Sequence, residues 1–189
     1  MFQVGDAVVH PLLGAGVVTE IEELRRRGRD RSYYKIEMTN HPRTNVMVPV
    51  SDAEEHGVRE AISASRVKRV WRVLTSPPRS LPGDFAARRA ALSDKLSSGE
   101  TNRVAEALRD LAWRRMKEGH LTTTERRLYR KGMNILAGEI AAAKGVGLGA
   151  VKLQVGNWIS EGLMQHRDTG VSRLRRLGEG VEYAKDQNA

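Results

Sequence analysis

The residues best suited to chemistry in this sequence are arginines at a predicted helix start. Thr122 and Glu125 have the spacing of a capping box, in which hydroxyl and carboxylate each satisfy a free backbone N–H group. Four cations follow in the first turns: Arg126, Arg127, Arg130 and Lys131. Cationic side chains beside the free N–H groups of a helix start suit phosphate oxygens. The alternative interpretation is a charged helix face in water.

A second helix start carries one large apolar residue and two arginines. Asp84 is a predicted N-cap, and Phe85, Arg88 and Arg89 follow it. Periodicity alone favours Phe85 as a staple that packs the preceding proline-rich linker against the helix. The alternative is an apolar wedge of the kind that minor-groove binders insert between base pairs.

The densest basic run spans residues 25–31, in a predicted hairpin turn. Such a run blunts an exposed sheet edge. It also suits phosphate or an acidic protein, and both interpretations stay open.

The chain has no cysteine, which excludes disulfides and thiolate chemistry. The five histidines are too far apart in sequence for a local ligand pair, and neither an HExxH nor a GxSxG motif occurs. Gly14 and Gly16 lead into a predicted strand, whereas a phosphate loop needs a helix start. We therefore predict no catalytic residue, no metal site and no cofactor.

Short β-branched segments separated by turns fill residues 1–50, as in a small antiparallel barrel. Tyr34, Ile36 and Met38 alternate in one segment, and Val46, Val48 and Val50 share a face in another. The predicted fold class is therefore α+β, with a small N-terminal antiparallel barrel and a C-terminal all-helical domain.

From about residue 63 the apolar residues recur with the spacing of a helix. We predict a helix near 63–74, a proline-rich linker to 83, and four further helices starting near 84, 101, 122 and 148.

The three tryptophans fall on or near the apolar stripes of these helices, so we predict that they pack in the core, with an interface as the alternative. Glu106 with Arg109, and Asp110 with Arg114, have the spacing of solvated ion pairs. Residues 166–189 are predicted to be a basic polar extension, to which we assign no secondary structure.

The net charge of +9 over 189 residues is uneven. Residues 77–189 carry 20 of the 32 basic and 13 of the 23 acidic side chains, a net charge of +7. A basic second half favours a nucleic-acid partner there. No apolar run approaches the length of a membrane span, and the N-terminus lacks the basic segment followed by an apolar segment that is typical of a signal peptide. We predict no membrane contact, no small-molecule substrate and a cytoplasmic location.

Motifs in both halves, in matching order, resemble the CarD/CdnL family of bacterial transcription factors. In the first half they are the opening Phe2-x-Val4-Gly5-Asp6-x-Val8-Val9-x-Pro11-x-x-Gly14, then Val48-Pro49-Val50 and Gly57-Val58-Arg59. In the second half they are Leu96-x-Ser98-Gly99, Asn102-x-Val104-Ala105, Arg109-Asp110-Leu111 and Ile135-Leu136-x-Gly138-Glu139. The resemblance covers about residues 1–165.

The resemblance implies a Tudor-like domain over 1–62 that binds the RNA polymerase β subunit. A helix and linker over 63–83 would connect it to a DNA-binding helical domain over 84–165. That domain would lie on promoter DNA at the upstream edge of the transcription bubble, where a tryptophan wedges into the minor groove and stabilises the open complex. The implied protein is not an enzyme, and we predict a monomer.

Carried onto this sequence, the wedge position is Phe85, where other members have tryptophan. With the resemblance included, the wedge becomes the favoured interpretation of Phe85. The implied DNA-binding set, which takes in the two basic clusters, is Phe85, Arg88, Arg89, Arg126, Arg127 and Arg130. The implied polymerase-binding set is Leu24, Arg25, Arg26, Arg27, Val46, Met47 and Val48.

Two other functions compete with this prediction. The barrel alone is compatible with an RNA- or ribosome-binding module. A DNA-processing enzyme is the second alternative, although the sequence offers no carboxylate cluster for one.

Overall fold

The structure, a computed structural model, describes residues 1–183 apart from 12, 27–28 and 41–42, and at 26, 29 and 168–183 the backbone alone. Five antiparallel strands form one sheet in the order β4-β3-β2-β1-β5. The strands are β1 (Ala7–His10), β2 (Gly14–Arg26), β3 (Arg29–Met38), β4 (Asn45–Pro49) and β5 (Arg59–Glu60). Among the described residues β4 and β5 do not pair, so the sheet is not closed and the predicted barrel is not confirmed.

The apolar face of the sheet has its own core. Tyr34, Ile36 and Met38 are buried there, as their alternation predicted, and Val48 of β4 joins them. The Tyr34 hydroxyl accepts a hydrogen bond of 2.9 Å from the Phe2 backbone N–H, and the two rings pack with centroids 5.5 Å apart. The N-terminal segment is thereby fixed on the sheet.

Five helices follow, with starts close to the predicted positions. They are α1 (Ala64–Thr75), α2 (Phe85–Ser97), α3 (Thr101–Glu118), α4 (Thr123–Lys144) and α5 (Leu148–Tyr183). The Asp84 carboxylate accepts from the Ala87 N–H at 2.7 Å, and Thr122 with Glu125 forms the complete capping box. Both caps were predicted because they depend on residues three apart in sequence.

Helix α1 is part of the helical core and not part of a connecting segment. Val67, Val70 and Leu74 are buried in the same cluster as α2 to α5, and α1 packs on α3 and α5. The predicted helix near 63–74 corresponds to α1. The connecting segment begins only after Thr75.

Helix α5 continues to Tyr183, which corrects the expectation of an unstructured extension after residue 165. No proline follows Pro82 in the sequence, so no proline ends the helix at Leu163. Residues 166–183 contain four arginines, two leucines and two glutamates, which favour helical backbone, although their three glycines do not.

The acidic residues of α3 form different ion pairs from those predicted. Asp110 is buried and accepts from Arg109 at 2.8 Å and from Lys95 of α2 at 3.2 Å. Glu106 also pairs with Lys95, at 3.1 Å. Asp110 thus joins α2 to α3, where a solvated i, i+4 pair with Arg114 was predicted.

The tryptophans are less buried than predicted. Trp113 and Trp158 are half-buried, and Trp71 is 37% exposed. The indole N–H of Trp71 donates to Glu161 of α5 at 3.1 Å.

The sheet is joined to the helices by a buried carboxylate on α4. Glu139 accepts from the two guanidinium nitrogens of Arg59 at 2.7 and 3.1 Å, from the Ile62 backbone N–H at 3.0 Å, and from the Thr101 hydroxyl at 3.1 Å. Arg59 lies on β5 and Thr101 opens α3. One side chain therefore fixes the sheet edge against two helices.

Candidate nucleic-acid interface

The start of α2 presents an aromatic ring to solvent. Phe85 is 46% exposed and does not belong to the helical core cluster. A ring with this much exposed surface outside the core supports the wedge interpretation more than the staple interpretation. The cap on Asp84 and the proline-containing segment before it begin the helix at this residue, which leaves Phe85 on the first turn.

Arg88 lies beside that ring but is itself buried, at 5% exposure. Its Nε donates to Glu125 at 2.7 Å, and its Nη1 donates to the carbonyl oxygens of Pro82 and Gly83, each at 2.7 Å. Its guanidinium carbon lies 5.9 Å from the Phe85 ring centroid. A guanidinium bonded in this way is not free for phosphate, which corrects the prediction of Arg88 as a DNA contact.

Glu125 is the acceptor at the centre of this arrangement and is 2% exposed. Besides Arg88 it accepts from Arg114 Nε at 3.1 Å and from the Thr122 backbone N–H at 2.8 Å. Burial raises the pKa of Glu125, but the hydrogen bonds from Thr122 and Arg88 and the charge of Arg114 outweigh burial, so its pKa is lowered. The ionised carboxylate therefore joins the starts of α2 and α4.

The predicted arginines of α4 surround the same region. Arg126, Arg127 and Arg130 are exposed on the first two turns, as is Arg89 on α2. Arg126 donates to the Thr123 hydroxyl at 3.2 Å, and no carboxylate within the described residues lies within 4 Å of these four guanidinium groups. Their charge is therefore free to attract an anion.

Sequence reasoning missed one arginine, one histidine and one tyrosine in this area. Arg115, His120 and Tyr129 line one groove of about 610 Å³ together with Arg126 and Arg130. The signal was present, because a turn of only four residues joins α3 to α4 and forces the last turn of α3 beside the first turn of α4.

The predicted polymerase-facing residues lie on the edge strand β4 and at the far end of the β2–β3 hairpin. β4 is an edge strand, on which Val46 and Met47 are half-buried, whereas Val48 is buried in the sheet core. Met47 lies opposite Lys35, whose hydrogen bonds with Glu22 and Glu20 raise its pKa. The edge thus combines apolar and charged side chains with unpaired backbone groups.

The hairpin of β2 and β3 extends this surface. Leu24 is half-buried, and Arg25 is exposed beside Asp30 at 3.9 Å. The Arg26 side chain and all of Arg27 lie outside the described part of the chain. Of the predicted set in that part, Val48 is buried, and Val46 on the same face of β4 packs against the sheet core.

The two halves of the chain match two family models. The CarD-like/TRCF RID domain matches residues 2–62, and the CarD C-terminal domain matches residues 69–152. The protein YdeB of Bacillus subtilis (strain 168), whose name describes it as a candidate transcription factor, is 31% identical over 148 residues. That alignment covers 77% of this chain and 94% of the relative. The chain belongs to the CarD-like family.

Membership in the CarD-like family gives the chain a role in transcription regulation and associates it with RNA polymerase. The first match covers the sheet, and the second covers the starts of α2 and α4. Within the described residues, no cluster of three or more potential metal ligands occurs, and no helix is both long and apolar enough to cross a membrane.

Proposed function

We propose that this CarD-like protein holds the RNA polymerase β subunit through its sheet and promoter DNA through the starts of α2 and α4. Bound at the upstream edge of the bubble, it would stabilise the open promoter complex. The observation that carries this proposal is the exposed Phe85 ring, held beside a cluster of unpaired arginines.

Phe85 has the properties required of a minor-groove wedge. Its ring is flat, apolar and exposed at a helix start, and Arg88 anchors the backbone behind it. Wedges of this type unstack a base step and bend the duplex. Phenylalanine lacks the indole N–H and part of the area of tryptophan, so the wedge of this chain would act through apolar contact alone.

Arg126, Arg127 and Arg130, with Arg89, would contact phosphates on either side of the wedge. Phosphate contacts orient a protein on DNA without reading its sequence. The nearby Arg115 and His120 would lengthen that contact along the groove.

The polymerase contact would lie on β4 and the β2–β3 hairpin. An edge strand offers unpaired backbone groups on which a partner strand can add. Met47, Leu24 and Arg25 supply side chains beside that edge, whereas the Val46 side chain packs against the sheet core. Val48 would contribute through its backbone, because its side chain is buried.

A bridge of this kind acts through effective concentration. Once the sheet is held by polymerase, a weak DNA contact becomes intramolecular and is strengthened without new interactions. If the protein binds the melted promoter better than the closed promoter, the equilibrium shifts towards melting. A difference of about 1 kcal/mol changes that equilibrium about fivefold.

Abortive transcription with purified polymerase tests the proposal. Adding the protein should increase the yield of short transcripts at a promoter whose open complex is short-lived. Yields that are the same with and without the protein, across a set of such promoters, would contradict the proposed function.

A further inference from the structure

The solvent face of α1 carries a run of cations that the proposed function does not use. Between Glu60 and Asp84 the sequence contains five basic residues and no acidic one. Four of the five lie on α1 and are exposed: Arg66, Lys68, Arg69 and Arg72. Val67, Val70 and Leu74 hold the opposite face of the helix in the core, so the cations point outward.

These four cations lack the counter-charges found on neighbouring helices. On α2 and α3, Lys95 pairs with Asp110 at 3.2 Å, and Arg103 pairs with Asp94 at 2.7 Å. Within the described residues no carboxylate lies within 4 Å of any of the four α1 cations. An unneutralised row of charges attracts a polyanion.

A groove lined by two tryptophans lies next to this row. Trp71 and Trp158 line it with Lys68 and Lys144, and its volume is about 380 Å³. The hydrogen bond from Trp71 to Glu161 fixes the orientation of the exposed indole. The groove therefore offers rigid aromatic surface with two ammonium groups at its side.

This surface is separate from the starts of α2 and α4. α1 packs on α3 and α5, whereas α2 packs on α3 and α4, and the described parts of α1 and α2 do not contact each other. The groove on α1 shares no residue with the groove lined by Arg126 and Arg130.

We propose that the α1 face binds single-stranded nucleic acid, with phosphates on the four cations and one unpaired base against Trp71 and Trp158. Twelve helical residues span about 18 Å, over which a repeating phosphate charge can meet successive cations. Aromatic side chains beside a basic groove are the usual platform for unpaired bases. In a duplex the bases are stacked and cannot enter such a groove, so the tryptophans favour a single strand. This site needs neither the polymerase nor the promoter contact proposed above.

The test is the anisotropy of a dye-labelled oligothymidylate of about twenty nucleotides, titrated with the full chain at several salt concentrations. Arg66→Ala with Arg69→Ala should weaken binding about tenfold and reduce the salt slope by about 1.4, since each single-strand phosphate contact contributes about 0.7. The matched control is Arg31→Ala with Arg103→Ala, which removes equal charge from two arginines outside both proposed nucleic-acid surfaces and should change affinity less than about threefold.

The aromatic contact has a separate readout. The oligonucleotide should quench the tryptophan emission of the parent, and Trp71→Phe should lose most of that quenching while its affinity stays within about threefold. Trp71→Ala should weaken binding by at least about fivefold, as loss of one base stack predicts.

Three results would overturn the assignment. One is a duplex of the same length that binds as tightly as the single strand. Another is equal loss of affinity in the two double-arginine variants. The third is competition by polyglutamate as effective as competition by unlabelled oligothymidylate, which would assign the face to an acidic protein.

Discussion

Arg88 stands next to the exposed Phe85 ring, yet its own charge is buried against Glu125 and against the carbonyl oxygens of the preceding segment. Burying a guanidinium is costly unless its donors are bonded and its charge is paired. Both conditions are met here by residues that come from α4 and from the chain leading into α2. Arg88 therefore determines where the backbone presents Phe85, and the exposed arginines are left for the phosphates.

Loss of the Glu125 charge should strongly destabilise the fold. Glu125→Gln keeps the shape of the side chain but leaves Arg88 as an unpaired buried charge, a change that typically costs about 3–5 kcal/mol. Urea denaturation measures this difference in the free energy of unfolding. Adding Arg88→Met to Glu125→Gln removes the unpaired charge and should recover part of the loss.

The exposed Arg127 is a suitable control, since Arg127→Ala should change the free energy of unfolding by about 0.5 kcal/mol or less. A Glu125→Gln protein as stable as the parent would contradict a paired, ionised Glu125.

The lowered pKa of Glu125 also predicts a pH dependence. Because the folded-state pKa lies below its ordinary value of 4.5, ionised Glu125 stabilises the fold fully above that pH. The contribution is lost as the pH falls through the lowered pKa. The difference in unfolding free energy between parent and Glu125→Gln should therefore be constant near neutral pH and should shrink well below pH 4.5. A difference that does not change with pH would contradict this account.

At the scale of elements, α1 and α5 approach each other closely at one glycine. A Cβ on Gly162 of α5 would lie 2.6 Å from the Leu74 carbonyl oxygen and 2.9 Å from the Thr75 Cα, both backbone atoms of α1. Gly156 lies on the same helix and has nothing within 4 Å of a Cβ. Alanine substitutions at these two glycines therefore separate the effect of close helix packing on stability from the effect of helix propensity.

Gly162→Ala should destabilise the protein by about 1–3 kcal/mol, because the two helices must move apart. Gly156→Ala should be neutral or stabilise it by up to about 1 kcal/mol, the gain of alanine over glycine in a helix. Thermal unfolding of the two variants compares them directly. If both behave alike, α1 does not pack on α5 as described.

The sequence predicts contacts between residues that are close along the chain, but not contacts between residues that are far apart along it. Helix starts at Asp84 and Thr122 were predicted because capping depends on residues three apart. The buried pair of Arg88 with Glu125 joins residues 37 apart, and no local pattern separates it from a solvated pair. The apolar stripe of α1 was visible in the sequence, but its packing against α3 and α5 was not, because those helices are distant in sequence.

At the scale of the whole molecule, Glu139 makes the sheet and the helices a single unit. Its carboxylate is buried, and its bonds to Arg59, Ile62 and Thr101 connect both halves of the chain. A bridge between polymerase and DNA is most effective when its two faces keep a fixed relation, since flexible connection lowers the effective concentration of the second contact.

The central claim is that both faces act together on the open complex, and the lifetime of that complex at a responsive promoter tests it most directly. The parent should lengthen the lifetime, and Phe85→Trp should preserve or increase the effect, because the larger ring covers more of an unstacked step. Phe85→Ala and Arg25→Glu should each return the lifetime towards the value without the protein. Leu153→Ala, at another exposed apolar residue, should act like the parent.

Folding must be checked in the same samples, and because Phe85 is exposed, Phe85→Ala should melt within about 3 °C of the parent. The account predicts normal melting together with a lifetime close to that of the promoter complex alone. A Phe85→Ala protein that melts normally and prolongs the open complex as well as the parent would contradict it.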